Sequence, residues 1–219
     1  MPDSSRPLPR SVWLGLSLAF SMIGLAILVS LAQNFRAHKQ ALPVLGPVAD
    51  FTLTNQDGKL TTLADFTNHV WLADIIFTRC AGPCPRLTMQ MGSLQEKLPA
   101  DSNVKFVTLT TDPDFDTPEI MKKVGTHYGA DFSRWTFLTG EKREIGLLGA
   151  NSLKLSSQPV KPEEQKDAAD LFIHTTIFVI VDKHAQLRGF FETGGDGVDW
   201  TNAVMPQIIT AVHQLEQEP

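Results

Sequence analysis

Residues Val70 to Phe77 form a run that is apolar at every position except Asp74, and they deliver the chain directly into Thr78-Arg79-Cys80-Ala81-Gly82-Pro83-Cys84-Pro85. A strand that is apolar at nearly every position, rather than at every second one, must be covered on both faces. This predicts a sheet with helices packed on both sides. After the cysteines, Pro85 stands where a first helical turn tolerates proline, and Leu87, Met91, Leu94 and Leu98 recur at helical spacing. The only two cysteines of the chain are therefore expected at a strand-to-helix junction inside a layered α/β domain.

The rest of the pattern extends this frame. Phe51–Thr54 and Leu60–Leu63 alternate around Asn55-Gln56-Asp57-Gly58, a hairpin signal with glycine where φ must be positive. Val104–Thr110 reads as a second buried strand. The loop Asp112–Pro118 leads into a helix that reaches about Tyr128, with Asp116 as the expected cap. A short strand over Trp135–Leu138, a helix over Lys142–Leu148 and a polar surface insertion over 153–170 follow. Ile173–Val181 is the next strand, Gln186–Phe191 its hairpin partner, and a last helix carries Val204, Ile208, Val212 and Leu215. Strand and helix alternating, then a hairpin and a helix, is the order of a thioredoxin-like α/β fold with an antiparallel edge, here preceded by an N-terminal β-hairpin.

Ahead of this domain, Ser11–Ala32 carries no charge. About 22 residues at 1.5 Å rise cross a hydrocarbon layer of about 30 Å. A cleaved signal peptide has a shorter apolar region of about 7–15 residues, although Ser30 and Ala32 are small enough for a peptidase. A single uncleaved transmembrane helix is expected. Arg6 and Arg10 precede it and Arg36 and Lys39 follow, so charge does not orient it. The expected division is a tail (1–10), a transmembrane anchor (11–32), a linker containing Pro43, Gly46 and Pro47 (33–48), and one globular domain (49–219).

A net charge of −5 with no basic stripe excludes nucleic acid as the partner. Two cysteines are too few for a disulfide framework, so their role is chemical. Thiolates at i and i+4 can exchange electrons as a dithiol/disulfide pair or bind a soft metal, and a helix N-terminus lowers thiol pKa in favour of both. Three intervening residues, rather than the two of thioredoxin-type oxidoreductases, let both sulfurs face one ion. A metal held by two thiolates recruits a nitrogen, and His174 at the start of its strand is the candidate; the alternative is a histidine satisfied by backbone. Zinc would want a fourth protein ligand, and none is evident. His38, His69, His127, His184 and His213 read as solvated, and Met89 and Met91 as core rather than ligands. Asp74 must be neutral, hydrogen-bonded or functional. It lies six residues before Cys80, where thioredoxins place a buried carboxylate that assists proton transfer.

Phe77-Thr78-Arg79-Cys80-Ala81-Gly82-Pro83-Cys84-Pro85, Asp112-Pro113-x-x-Asp116-Thr117-Pro118, Trp135-x-Phe137-Leu138-Thr139-Gly140 and His174-Thr175 together resemble the Sco/SenC family, in the same order, across about Val48 to Leu215. The resemblance implies a membrane-anchored, thioredoxin-like metallochaperone that delivers copper, as Cu(I) or Cu(II), to the CuA centre of cytochrome c oxidase or to another cuproprotein. It implies Cys80, Cys84 and His174 as the copper ligands, and a domain facing the periplasm or, as the second choice, the mitochondrial intermembrane space. Asp112 matches an acidic position near the metal loop, so it either tunes the site or turns the loop before Pro113. Asp74 departs from the family's commonest pattern, in which that strand is wholly apolar. The rival functions are a metal-free thiol–disulfide reductase acting on a partner's cysteines and an anchored structural domain with an inert disulfide.

Overall fold

The computed structural model describes residues 10–37, 41–155 and 176–219. They fall into two compact units, Met1–Ala41 and Leu42–Pro219. The first contains helix α1, Arg10–Ala37, whose segment Ser11–Ser30 is long and apolar enough to cross a membrane.

The second unit is built on an eight-stranded sheet. Its strands are β1 (Gly46–Pro47), β2 (Thr52–Asn55), β3 (Leu60–Thr62), β4 (Val70–Ile76), β5 (Val104–Thr110), β6 (Trp135–Thr139), β7 (Ile177–Val181) and β8 (Gln186–Glu192), in the spatial order β1-β8-β7-β4-β5-β6-β2-β3. The centre, β4-β5-β6, is parallel, while β7 pairs antiparallel with β4 and β8 pairs antiparallel with β7. The predicted hairpin is β2–β3, and Gly58 in its turn has φ +72°. The long helices are α2 (Cys84–Lys97), α3 (Pro118–His127) and α5 (Met205–Gln217), with a short α4 (Lys142–Gly146).

All seven residues of β4 are buried, and its alternation sorts them onto two cores. Val70, Leu72 and Ile76 pack with Leu87, Met91 and Leu94 of α2 and with Ile208, Val212 and Leu215 of α5. Trp71, Ala73 and Ile75 pack on the other face with Ile145, Leu148, Leu153 and Leu155. Both cysteines belong to the first core. By strand alternation Asp74 points into it as well.

Three expectations change. Residues 42–48 are part of the packed domain rather than of a linker ending before Ala49. Leu45 and Val48 donate backbone hydrogen bonds to Leu187 and Ala185, and Arg188, itself buried between Asp182 and Glu218, also donates to the carbonyls of Leu42 and Pro43. Proline suits β1 because an edge position asks for fewer N–H donors. The polar insertion does not start at Leu153, since Leu153 and Leu155 are core residues beyond a π turn over Leu147–Ser152; residues 156–170 lie outside the described segments. Met89 is exposed, whereas Met91 is buried as expected.

Candidate metal centre

The sheet brings three chain ends to one edge. β4 and β5 run parallel, so Ile76 and Thr110 finish side by side, and β7 runs the opposite way, so its first residue, Ile177, starts at that same edge. Beyond Ile76 comes the cysteine loop, and beyond Thr110 the loop holding Asp112 and Asp116. The carboxyl ends of parallel strands are where open α/β sheets place their sites, because the loops diverge there and leave room.

Cys80 ends the turn after β4, its N–H donating to the Phe77 carbonyl at 3.2 Å. Cys84 is the first residue of α2 and Pro85 the second, where its missing N–H costs nothing. The Cys84 carbonyl accepts from Thr88 Oγ1 at 3.0 Å. Both cysteines are buried and are not joined in a disulfide. They contribute to the lining of one cavity of about 290 Å³, with Phe77, Thr78, Pro85 and Thr88 on one side and Lys123, Val124, His127 and Tyr128 of α3 and the residue following it on the other.

Asp116, expected as a helix cap, does something else. The cap of α3 is Thr117, whose side chain accepts from the Ile120 N–H, as the first-turn position of Pro118 requires. Asp116 is fully buried and takes hydrogen bonds from the Thr78 N–H at 3.1 Å and from the hydroxyls of Thr78 and Thr110. It ties the start of the cysteine loop to the end of β5. Burial pushes its carboxyl above the ordinary carboxylate range, and the three hydrogen bonds partly offset this. Asp112 accepts from Arg79 Nε at 3.1 Å and from Nη2 of the same guanidinium, which also lies 4.3 Å from the Phe115 ring centre. Asp112 thus braces the residue next to Cys80.

Asp74 is fully buried, and neither carboxyl oxygen has a hydrogen bond of good geometry among the described residues. Its cross-strand neighbour Thr108 has an oxygen that accepts from Trp135 Nε1 at 3.0 Å, leaving the Thr108 proton free to turn toward Asp74. Burial raises the Asp74 carboxyl to about 7, with Thr108 opposing. Burial also raises the Cys84 thiol well above its usual value; the neighbouring Cys80 and the Asp74 charge add to the rise, and the Phe77 backbone opposes it. The sequence led to the expectation of a lowered thiol pKa at the helix N-terminus; at Cys84 burial pushes the thiol the other way.

His174 lies outside the described residues. The chain near it is fixed at Thr176, whose carbonyl accepts from the N–H and the hydroxyl of Thr193. The Thr193 carbonyl in turn accepts from Gln90 Nε2 of α2 at 3.0 Å. Gly194 is wedged between Thr176 and Arg86, so a β-carbon there would come within 2.8 Å of Thr176 Cγ2. Of the other histidines, His127, His184 and His213 are exposed as expected, His69 is half-buried and His38 lies outside the described residues, but His127 also lines the cysteine cavity. The sequence offered one hint of this: Lys123 and His127 are one helical turn apart.

A profile of the SCO1/SenC family matches residues 43–207, the body of the domain just described. The chain belongs to the SCO1/SenC family. Among relatives, the SCO1 protein homolog of Bacillus subtilis (strain 168) is 38% identical over 141 residues, which is 64% of this chain and 70% of the relative. The solved structure of BsSco, described as a member of the Sco family of cytochrome c oxidase assembly proteins with a disulfide switch, is 33% identical with a TM-score of 0.66. That match covers 82% of this chain and all of the other. Bradyrhizobium japonicum ScoI, solved with copper bound, shares the fold at 20% identity and a TM-score of 0.61, over 77% of this chain and 97% of that one. The thioredoxin-like α/β fold expected for this SCO1/SenC chain is thereby established.

Proposed function

We propose that this protein holds copper through Cys80, Cys84 and His174 and delivers it to the CuA centre of cytochrome c oxidase or to another cuproprotein. The observation that carries this is the placement of Cys80 and Cys84 on one cavity at the sheet edge where β7 also begins, within a SCO1/SenC domain. Thiolates select Cu(I), and an imidazole adds a donor suited to Cu(II), so this donor set serves either oxidation state. Thr176 is held against α2 through Thr193 and Gln90, and His174 is two residues from it along the chain, a span of at most about 7 Å. That supports His174 as the third donor. The copper-bound ScoI of B. japonicum supports the choice of metal. Asp112, through Arg79, and Asp116, through Thr78, hold the ligand loop. Helix α1 anchors the domain to the membrane, facing the periplasm.

The test is copper titration of the reduced full-length protein in detergent. One copper per chain is expected, abolished by Cys84→Ser and weakened by His174→Ala. Absence of a stoichiometric complex, or one indifferent to both substitutions, refutes the proposal.

A second activity is favoured by Asp74. In thiol–disulfide exchange, Cys80 is joined to a partner sulfur in a mixed disulfide. Cys84 attacks the Cys80 sulfur, the bond to the partner breaks, and the partner leaves as a thiolate. The domain dithiol is thereby oxidised by two electrons as the partner disulfide is reduced. The Cys84 proton needs an acceptor, and the buried Asp74 carboxylate is the acidic group whose charge is felt at Cys84. Exchange that persists in His174→Ala and slows in Asp74→Asn supports this activity; exchange unaffected by Asp74→Asn removes Asp74 from it.

A further inference from the structure

We propose that the cavity over Cys80 and Cys84 is the docking groove for an acidic, cysteine-bearing segment of the partner protein, with Lys123 and His127 recognising its carboxylates. This rests on the preceding proposal that the cysteine pair exchanges a soft ion or a disulfide with partner thiolates, and it specifies the partner.

The chain as a whole carries a net charge of −5, yet no carboxylate lines this cavity among the described residues, while two basic side chains do. Lys123 and His127 are both exposed. They stand at i and i+4 on α3, on one face of the helix. The adjacent Lys122 is occupied by Asp57 at 2.8 Å. Lys123 has no ion pair among the described residues, and the ring neighbour of His127 is Tyr128, edge-on at 4.9 Å. The cation is thus available to an incoming ligand rather than neutralised within the fold.

The rest of the cavity suits a peptide. Ile76, Phe77, Pro85 and Val124 give it apolar walls, Thr88 and Tyr128 bring hydroxyl groups, and the two cysteines are part of the lining. A segment seated there brings its own cysteine to Cys80 and Cys84 while flanking carboxylates meet α3. A cleft of one charge sign with low-dielectric walls concentrates ligands of the opposite sign. A partner thiolate is itself anionic, so the same field that selects acidic flanks also draws the reacting sulfur inward.

The test uses reduced full-length protein in neutral detergent and two peptides with an identical cysteine-containing core, one flanked by Asp and Glu, the other by Lys and Arg. Each peptide carries its sulfur as a mixed disulfide with thionitrobenzoate. A protein thiolate forms a bond to the peptide sulfur, the bond to thionitrobenzoate breaks, and the coloured thiolate leaves, so the rate is read by absorbance. The acidic peptide should react roughly tenfold faster at low ionic strength, the lower end of what electrostatic steering delivers. The preference should shrink as salt shortens the screening length. It should vanish in Lys123→Met/His127→Gln and reverse in Lys123→Glu/His127→Glu. These positions are exposed, so the variants should keep the unfolding midpoint of the parent. Equal rates for the two peptides, or a preference that survives charge reversal, overturns the inference. Copper titration of the same samples separates the two proposals: stoichiometric copper with no peptide preference overturns only the docking groove, and peptide preference without copper binding overturns only the copper assignment.

Discussion

Replacing Asp74 by Asn should remove a pH-dependent destabilisation of about 4 kcal/mol, worked as follows from its burial. The Asp74 carboxyl is shifted by desolvation from an ordinary 3.8 to about 7. Below the lower value both the folded and the unfolded chain hold the proton, and the group contributes nothing. Between the two values the unfolded chain ionises while the folded domain keeps its proton, so folding stability falls as pH rises. Above the higher value both are ionised and the loss is complete. At 1.36 kcal/mol per pH unit, about three units give ~4 kcal/mol, a large part of the 5–15 kcal/mol that a domain of this kind possesses. Asn has nearly the same shape and no charge at any pH. The stability of Asp74→Asn relative to the parent should therefore rise by ~4 kcal/mol between about pH 4 and about pH 7.5. The assay is urea unfolding at several pH values under reducing conditions, followed by the fluorescence of the buried Trp71 and Trp135. Staying below the ordinary cysteine pKa of about 8.5 keeps the Cys84 thiol protonated in both states and out of the comparison. A difference between variant and parent that is flat across this range would refute the reasoning. It would mean that Asp74 gains enough from Thr108 to ionise as readily inside the domain as in the unfolded chain.

Asp116→Ala should cost about 2–4 kcal/mol in the same assay, because it leaves the Thr78 N–H and two threonine hydroxyls, all near the buried site, without their acceptor. It should also weaken copper binding, because the Cys80 end of the loop loses its anchor; unchanged affinity would show that the cysteines are positioned by α2 alone. Arg188→Met should cost about 3–5 kcal/mol, since it strands the buried Asp182 carboxylate. Because Arg188 also holds Leu42 and Pro43, proteolysis near the start of the domain should accelerate, and an unchanged cleavage rate would show that β1 suffices to hold that segment.

The strands were legible because burial leaves a composition signal. Val70–Phe77 and Val104–Thr110 lack the alternation of a half-wet strand, and both lie at the centre of the sheet. The strand–loop–helix placement of Cys80 and Cys84 followed from that run and Pro85. What the sequence hid was partnership across distance. Thr78, Thr110 and Asp116 are ordinary residues of a loop, a strand end and a helix approach, and only the parallel register of β4 and β5 makes them one cluster. Asp112 had equal claims as a turn residue and as a site residue until Arg79 was found against it. Residues 42–48 looked like a tether because proline and glycine mark irregular chain, and composition cannot reveal an edge pairing made by backbone groups. The helix-end effect expected at the thiols left out burial, which raises the Cys84 thiol.

The anchoring of the two sulfurs is divided, and this shapes what the centre can do. Cys84 belongs to α2, where the backbone ladder and Thr88 fix it. Cys80 depends on Thr78 and Asp116, a contact between two loops. Burial adds a second constraint. A thiol raised by desolvation does not ionise spontaneously near neutral pH, so a metal arriving at Cys84 must displace its proton. Metal binding should accordingly release protons and tighten as pH rises.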